Sequence, residues 1–256
     1  MKFTFSPTNE IERITAFITN IFNKEGIEKG VIAWSGGIDS TVSLYLLSRA
    51  IPIDKITILH LPYETSYLKD FDLIKKDLHL SSSQIHEVSI KPMVDEASAT
   101  LHPDDFRKGN IMARTRMIVL YDWAKKINAL VCGTENKTED LLGYFTRFGD
   151  QASDIEPIQH LYKTQVYELA EVLNVPYTFI ERAPTAGLWN GQTDEGEFGF
   201  TYREADEVLI RLFEYSKSIV EIEQEGFKNA RKIKALVDRN SFKHEVPYKM
   251  QIQNSF

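Results

Sequence analysis

The chain has one cysteine in 256 residues, no paired-histidine motif and no excess of positive charge. A single thiol, Cys132, excludes an intrachain disulfide framework, a CxxC metal site and a two-cysteine sulfur relay. It lies in the apolar run ALVC and reads as a buried structural thiol. The six histidines are scattered, without HExxH or a comparable pairing, which disfavours a zinc site. Lysine and arginine number 30 against 37 aspartates and glutamates, a formal net charge of -7, so a broad nucleic-acid footprint is not expected. An anionic small molecule stays open, because a few local cations focus potential in a cleft whatever the overall sign. No apolar run approaches the roughly 18 residues that suggest a membrane span, and the opening MKFTFSPTNEIER has no continuous apolar segment of the secretory kind. The expectation is a soluble, cytoplasmic protein. Internal repeats, low-complexity stretches and long linkers are lacking, as are the phosphate fingerprints GxxxxGKS/T and GxGxxG.

What is present suffices for a sizeable core: 43% of residues are hydrophobic and 11% aromatic, consistent with one domain over residues 1–256. Ser6-Pro7 reads as a helix start, followed by Ile11, Ile14, Phe17, Ile18 and Ile21 at helical spacing. Strand and helix then alternate. GVIAW, KITILHL, IHEVSI and ALVCG read as strands; STVSLYLLSRA, SYLKDFDLIKKDL and the region 105–128 read as helices. This order predicts an α/β fold, Rossmann-like, with a mostly parallel sheet covered by helices on both faces. From Thr201 onward the pattern is helical and either caps the sheet or offers a partner surface. Ligands of such sheets bind beyond the carboxyl ends of the strands, which directs attention to Ser35–Thr41, His60–Tyr63 and the stretch after Cys132.

AWSGGIDST, residues 33 to 41, is the most informative segment. Leaving a strand and entering a helix, it supplies backbone N–H groups, the hydroxyls of Ser35, Ser40 and Thr41, and a helix N-terminus, all suited to phosphate. Gly36 and Gly37 permit a close backbone approach. Asp39 would repel polyphosphate unless a magnesium ion stood between them, in which case repulsion becomes coordination. Its plain alternative is an N-cap on the following helix.

This loop resembles the PP-loop of the N-type ATP pyrophosphatases (adenine nucleotide alpha hydrolase-like fold), which cleave ATP between the α and β phosphates. GNIMARTRM, GTENKTEDLLGYFTRFGD, DIEPIQHLYKTQV and PTAGLWNGQTDEGEFGFTY, in that order, resemble NAD synthetase. The resemblance implies an ammonia-dependent ligase with ATP as co-substrate: the nicotinate carboxylate of deamido-NAD is adenylylated, and ammonia displaces AMP. Carried over by motif, Ser35, Gly36, Gly37, Asp39, Ser40, Thr41, Thr134, Lys163 and Thr185 would contact ATP. Asp39 and Glu139 would hold magnesium, with Asp39, Glu139 and Lys163 as the catalytic set. Arg114, Arg147, Asp154 and Lys243 would contact deamido-NAD.

Arg114 precedes Met117 by three residues and Ile118 by four, which places it on a face shared with apolar side chains. Departures from the family pattern are Arg147 where lysine is expected, Phe242 in place of histidine before Lys243, and the bulky Ala33-Trp34 pair, read as packing. Glutamine-dependent relatives carry an extra amidotransferase domain, for which 256 residues leave no room; free ammonia is expected, delivered in one version by a separate glutaminase subunit. A homodimer is implied by analogy, and neither nucleic acid nor membrane is an expected partner. Two alternatives stand beside this reading: another PP-loop enzyme amidating a different nucleotide, and a noncatalytic adenine-nucleotide sensor.

Overall fold

The computed structural model describes residues 5–64, 70–185, 193–245 and 247–250. Helix α1 (Pro7–Glu25) starts at Ser6, which has extended backbone angles but makes no side-chain cap bond, with Pro7 in the first turn. It buries Ile11, Ile14, Ile18 and Phe22, and each such side chain contributes about 1.5–3 kcal/mol on leaving water. Next come β1 (Lys29–Ala33), α2 (Ile38–Ala50), β2 (Ile56–His60), α3 (Phe71–Asp77), β3 (Ile85–Glu87), α4 (Lys91–Leu101), α5 (Asp105–Ile127) and β4 (Ala129–Cys132). The four strands are parallel, in the order β3-β2-β1-β4. After β4, an isolated parallel bridge joins Cys132 to Ile155, and Gly133 N–H donates to Ile155 at 2.7 Å. That bridge brings residues 154–156 to the carboxyl end of the sheet.

Both sheet faces are covered, as the unbroken apolar strands require. Ile32, Ile58, Leu130 and Cys132 pack with α1 and α2 residues such as Ile14 and Leu46, and with Val166. Their strand neighbours Val31, Leu59, Ala129 and Val131 face Val94, Met112 and Leu120 of α4 and α5. Cys132 is 2% exposed and burial pushes its thiol up, which confirms the structural reading.

The remaining helices are α6 (Lys137–Leu142), α7 (Lys163–Val172), α8 (Tyr177–Ile180), α9 (Asp194–Phe198), α10 (Tyr202–Phe213), α11 (Ile219–Gln224) and α12 (Ala230–Asn240). Leu142 of α6 and Tyr162 join Phe198, Val208, Leu209, Ile222 and Ile233 in a further apolar cluster. The C-terminal helices therefore pack on α6 and the start of α7, which settles where they sit. A continuous helix over 218–240 does not form: Gly226, at φ +101°, turns the chain between α11 and α12, an angle open mainly to glycine. The helix read in SYLKDFDLIKKDL is observed as Phe71–Asp77, and residues 65–69 lie outside the described residues.

Trp34 is 1% exposed. Its ring meets Phe71 edge-on at 4.5 Å and Phe179 at 5.8 Å between centroids, and its indole N–H donates to the Thr41 hydroxyl at 3.0 Å. The bulky residue before the glycine loop is thus a packing element that also orients a loop hydroxyl.

Candidate active site

The loop from β1 into α2 is wound tightly by its own side chains. Gly37 N–H donates to the Ser35 hydroxyl at 3.2 Å, while the Ser40 and Thr41 hydroxyls donate back to the Gly37 carbonyl at 3.1 and 2.8 Å. Gly36 takes φ +80°, a left-handed angle that a Cβ would strain. Arg182, from the segment after α8, donates to the Gly36 carbonyl at 2.7 Å and also pairs with Asp70. Gly37 occupies the N-cap position of α2 and Asp39 lies in its first turn, so the capping alternative for Asp39 is set aside.

Two groups distant in sequence converge on Asp39, and Glu139 joins them through the lysine. Lys163, 2% exposed at its side chain, places its ammonium 2.5 Å from Asp39 Oδ2 and 3.0 Å from Glu139 Oε1. Asn136 donates from Nδ2 to Asp39 Oδ1 at 2.9 Å, while its Oδ1 accepts from Glu139 N–H at 3.0 Å as the N-cap of α6. One amide therefore fixes the spacing of the two carboxylates. Tyr202 donates to Glu139 at 3.1 Å and to buried Asp194 at 2.9 Å, with the Lys163 ammonium 4.8 Å above its ring. Lys163 N–H donates to Thr138 at 2.9 Å, Thr138 donates to Asp206, and Asp206 accepts from Thr164 N–H at 2.7 Å. A carboxylate at the N-terminus of α7 suits both its unpaired amides and its dipole.

The electrostatics follow from this crowding. Burial raises the Glu139 carboxyl; Lys163 opposes that rise and Asp39 adds to it. For Lys163 burial acts downward, but the two carboxylates outweigh it and the ammonium ends above its ordinary range. Two carboxylates share one cation, so the cluster carries a net negative charge when ionised. The carboxylates are 17% and 16% exposed, leaving oxygen edges within reach of solvent. Hard oxygen donors of this kind suit magnesium, which needs few protein ligands because phosphate and water complete its octahedron.

Three of the four residues that the resemblance assigns to deamido-NAD, Arg114, Arg147 and Lys243, gather around the turn that follows α6. Lys243 donates to the carbonyls of Gly143 and Phe145 at 2.6 and 2.8 Å. Arg114 donates twice to the Arg147 carbonyl at 3.3 Å, and the Arg147 guanidinium lies 5.5 Å from the Phe242 ring, within cation–π range. Phe242 thus has a partner where histidine was expected. Arg114 is exposed and Ile118 is 56% exposed, so the shared face is the outward one, contrary to the spacing argument. Asp154 accepts from Val131 N–H at 2.8 Å, which ties it to the sheet edge. Thr134 lies two residues beyond the end of β4, and Thr185 closes the described stretch before residues 186–192.

Sequence reading missed Asn136, Tyr202, Asp194, Arg182 and Asp206. Asn136 lies inside the quoted motif GTENKTE, and its N-cap position ahead of Lys137 and Glu139 was a usable signal. Gly133 was also overlooked: a Cβ there would stand 2.0 Å from Glu156 Oε1. Gly133→Ala is expected to cost about 1–3 kcal/mol as Glu156 is displaced, with Glu156→Ala recovering most of that loss; denaturant midpoints of the single and double variants measure both.

Known proteins resemble this chain in sequence and in fold. A family model described as NAD synthase matches residues 10–247. The chain is 46% identical over 206 residues to the NH(3)-dependent NAD(+) synthetase of Thermoplasma acidophilum, covering 80% of this chain and 84% of that one. Among solved structures it resembles the NMN synthetase of Francisella tularensis, with TM-score 0.81, 33% identity and coverage of 99% and 100%. It likewise resembles the NH3-dependent NAD synthetase of Campylobacter jejuni, solved with a nitrate ion, with TM-score 0.80, 27% identity and coverage of 97% and 100%. With the family model spanning nearly the whole chain and the loop, two carboxylates and lysine in one place, this chain belongs to the NAD synthase family.

Proposed function

We propose that the protein is an ammonia-dependent NAD synthetase, an amide-forming ligase that uses ATP, and that residues 1–256 act as one catalytic domain. The observation that carries this reading is the Asp39–Lys163–Glu139 cluster set beside the SGGIDS loop. The nicotinate carboxylate of deamido-NAD attacks the α phosphorus of ATP, and the bond to the β phosphate breaks to release pyrophosphate. Ammonia then attacks the acyl carbon, and the bond to AMP breaks. Activation is needed because a free carboxylate is a poor acyl donor; the protein orients the reactants and stabilises developing charge.

In this reading Ser35, Gly37, Ser40 and Thr41 line the phosphate loop at the α2 N-terminus, where N–H groups and dipole favour anions. Asp39 and Glu139 would hold magnesium, which when bound offsets phosphate charge and polarises the reacting phosphoryl group. Lys163 then turns from the carboxylates toward the departing pyrophosphate, its ammonium kept charged by the acids around it. Thr134 and Thr185 supply further ATP contacts. Arg114, Arg147, Asp154 and Lys243 form the dinucleotide side, with Arg147 giving a planar fork where a lysine would give a point charge. A cytoplasmic homodimer fed with free ammonia, or by a separate glutaminase subunit, completes the reading.

The Francisella relative's name, NMN synthetase, gives a second acceptor to test, nicotinate mononucleotide. Purified protein with ATP, magnesium, ammonium and either acceptor is scored for amide product, AMP and pyrophosphate. Equimolar NAD, AMP and pyrophosphate from deamido-NAD is the expected outcome. Preferential amidation of the mononucleotide would transfer the activity to that acceptor, and tight ATP binding without pyrophosphate release would mark a sensor.

A further inference from the structure

Glu135 is 6% exposed, and among the described residues neither of its carboxylate oxygens has a hydrogen-bond partner. Its charged neighbours are acids, with Glu156 the strongest influence, followed by Asp150, Glu139 and Asp140. Lys243 also feels Glu135, but its ammonium is bonded to the Gly143 and Phe145 carbonyls. Burial and then Glu156 push the Glu135 carboxyl up to about 10, and burial pushes Glu156 up to about 7.

Glu156 is held in place beside it. One oxygen accepts from the Ser153 hydroxyl at 2.7 Å and the other from the Glu135 N–H at 3.1 Å, and the side chain lies where Gly133 lacks a Cβ. Ionised, Glu135 has no donor among the described residues. A carboxylate buried without a donor keeps its full desolvation penalty. A cation that brings its own N–H donors removes the deficit in one step, pairing with the acids and donating to them. Among the described residues no three His, Cys, Asp or Glu side chains converge as a metal site.

Position adds chemical sense. Glu135 directly precedes Asn136, whose amide holds Asp39, so the acidic pair shares a turn with the adenylylation centre. Ammonia exists in neutral water mainly as ammonium, a small tetrahedral cation with four donors. We propose that Glu135 and Glu156 form a binding site for the ammonium ion that supplies the amide nitrogen, one of the two carboxylates taking the proton that ammonium must lose to become the attacking ammonia. This assignment of the nitrogen rests on the reading of the chain as an ammonia-consuming synthetase.

Thallium(I) is the probe for direct binding, since its anomalous scattering marks monovalent-cation sites in crystals. A peak is expected beside the Glu135 carboxylate, displaced by ammonium chloride and lacking in crystals of Glu135→Gln. In solution, Glu135→Gln and Glu156→Gln are each expected to raise half-saturating ammonium about tenfold or more, with half-saturating ATP changed less than about twofold. Thermal unfolding confirms that both variants fold. No thallium peak in the wild type, displacement by potassium but not by ammonium, or an unchanged ammonium requirement in Glu135→Gln would each overturn the proposal. If ammonium displaces thallium from a protein that forms no amide from either acceptor, the cation site stands and the proposed activity falls.

Discussion

Asp39→Asn is expected to lower kcat/KM for ATP by about three orders of magnitude, a loss of transition-state stabilisation near 4 kcal/mol. Asn keeps the volume but replaces a charged acceptor with an amide. If its N–H2 group takes the place of Oδ2 it faces the Lys163 ammonium, and the flipped rotamer instead sets it against the Asn136 amide. Either arrangement opposes donor to donor. The phosphate loop survives, because its internal bonds run among Ser35, Gly37, Ser40 and Thr41, and Lys163 retains Glu139 at 3.0 Å. The cluster passes from two acids and one cation to one of each, but one buried donor loses its acceptor, so folding stability is expected to fall by about 1–3 kcal/mol. Pyrophosphate release, magnesium titrations at fixed ATP and denaturant unfolding separate these effects. Activity within tenfold of wild type would exclude the two-carboxylate assignment.

The contrast between what such a cluster needs and what a sequence displays explains how far the site was legible. SGGIDS could be read because its geometry is local: the loop is closed by bonds spanning two to five residues, and Gly36 declares its φ. The strand and helix alternation was equally visible, since apolar runs such as VIA and LVC must be buried on both faces. Asn136, Arg182 and Tyr202 were not visible. Their partners lie 97, 146 and 63 residues away, and an asparagine, an arginine or a tyrosine has no pattern that announces such a reach. Helix α4 escaped for a different reason: only Val94 is buried along it, so no apolar stripe exists to detect. Arg114 shows the same limit from the other side, for spacing fixed which residues share a helix face but not that the face points outward.

Glu135 and Glu156 are a subtler case. Both lie in quoted motifs, and each alone is an ordinary surface acid by composition. Only the bridge from Cys132 to Ile155 carries one against the other, and only burial makes their proximity expensive. The same contrast between visible acids and hidden partners governs Lys163, whose sequence context, YKTQ, is equally consistent with a solvated surface lysine.

Lys163→Met is expected to reduce both activity and stability, and its stability loss should depend on pH. Methionine fills the aliphatic path but leaves Asp39 and Glu139 facing each other without their cation, a change worth about 3–5 kcal/mol when one partner of a buried pair is removed. With Lys163 in place burial already raises Glu139 above 4.5; without the lysine that carboxyl rises further. Raised acids favour the fold below their unfolded range and lose that advantage as pH climbs through the folded value. The penalty is therefore small near pH 4.5 and grows through neutrality, so denaturant midpoints of wild type and variant should diverge between about pH 5 and pH 8. Lys163→Met combined with Glu139→Gln removes the unpaired acid and should regain most of the lost stability while staying inactive. A single variant as stable as wild type at pH 8 would show that the lysine is not what holds the two carboxylates together. Full recovery of turnover in the double variant would show that Lys163 takes no part in pyrophosphate departure, since no ammonium would remain there to receive the charge.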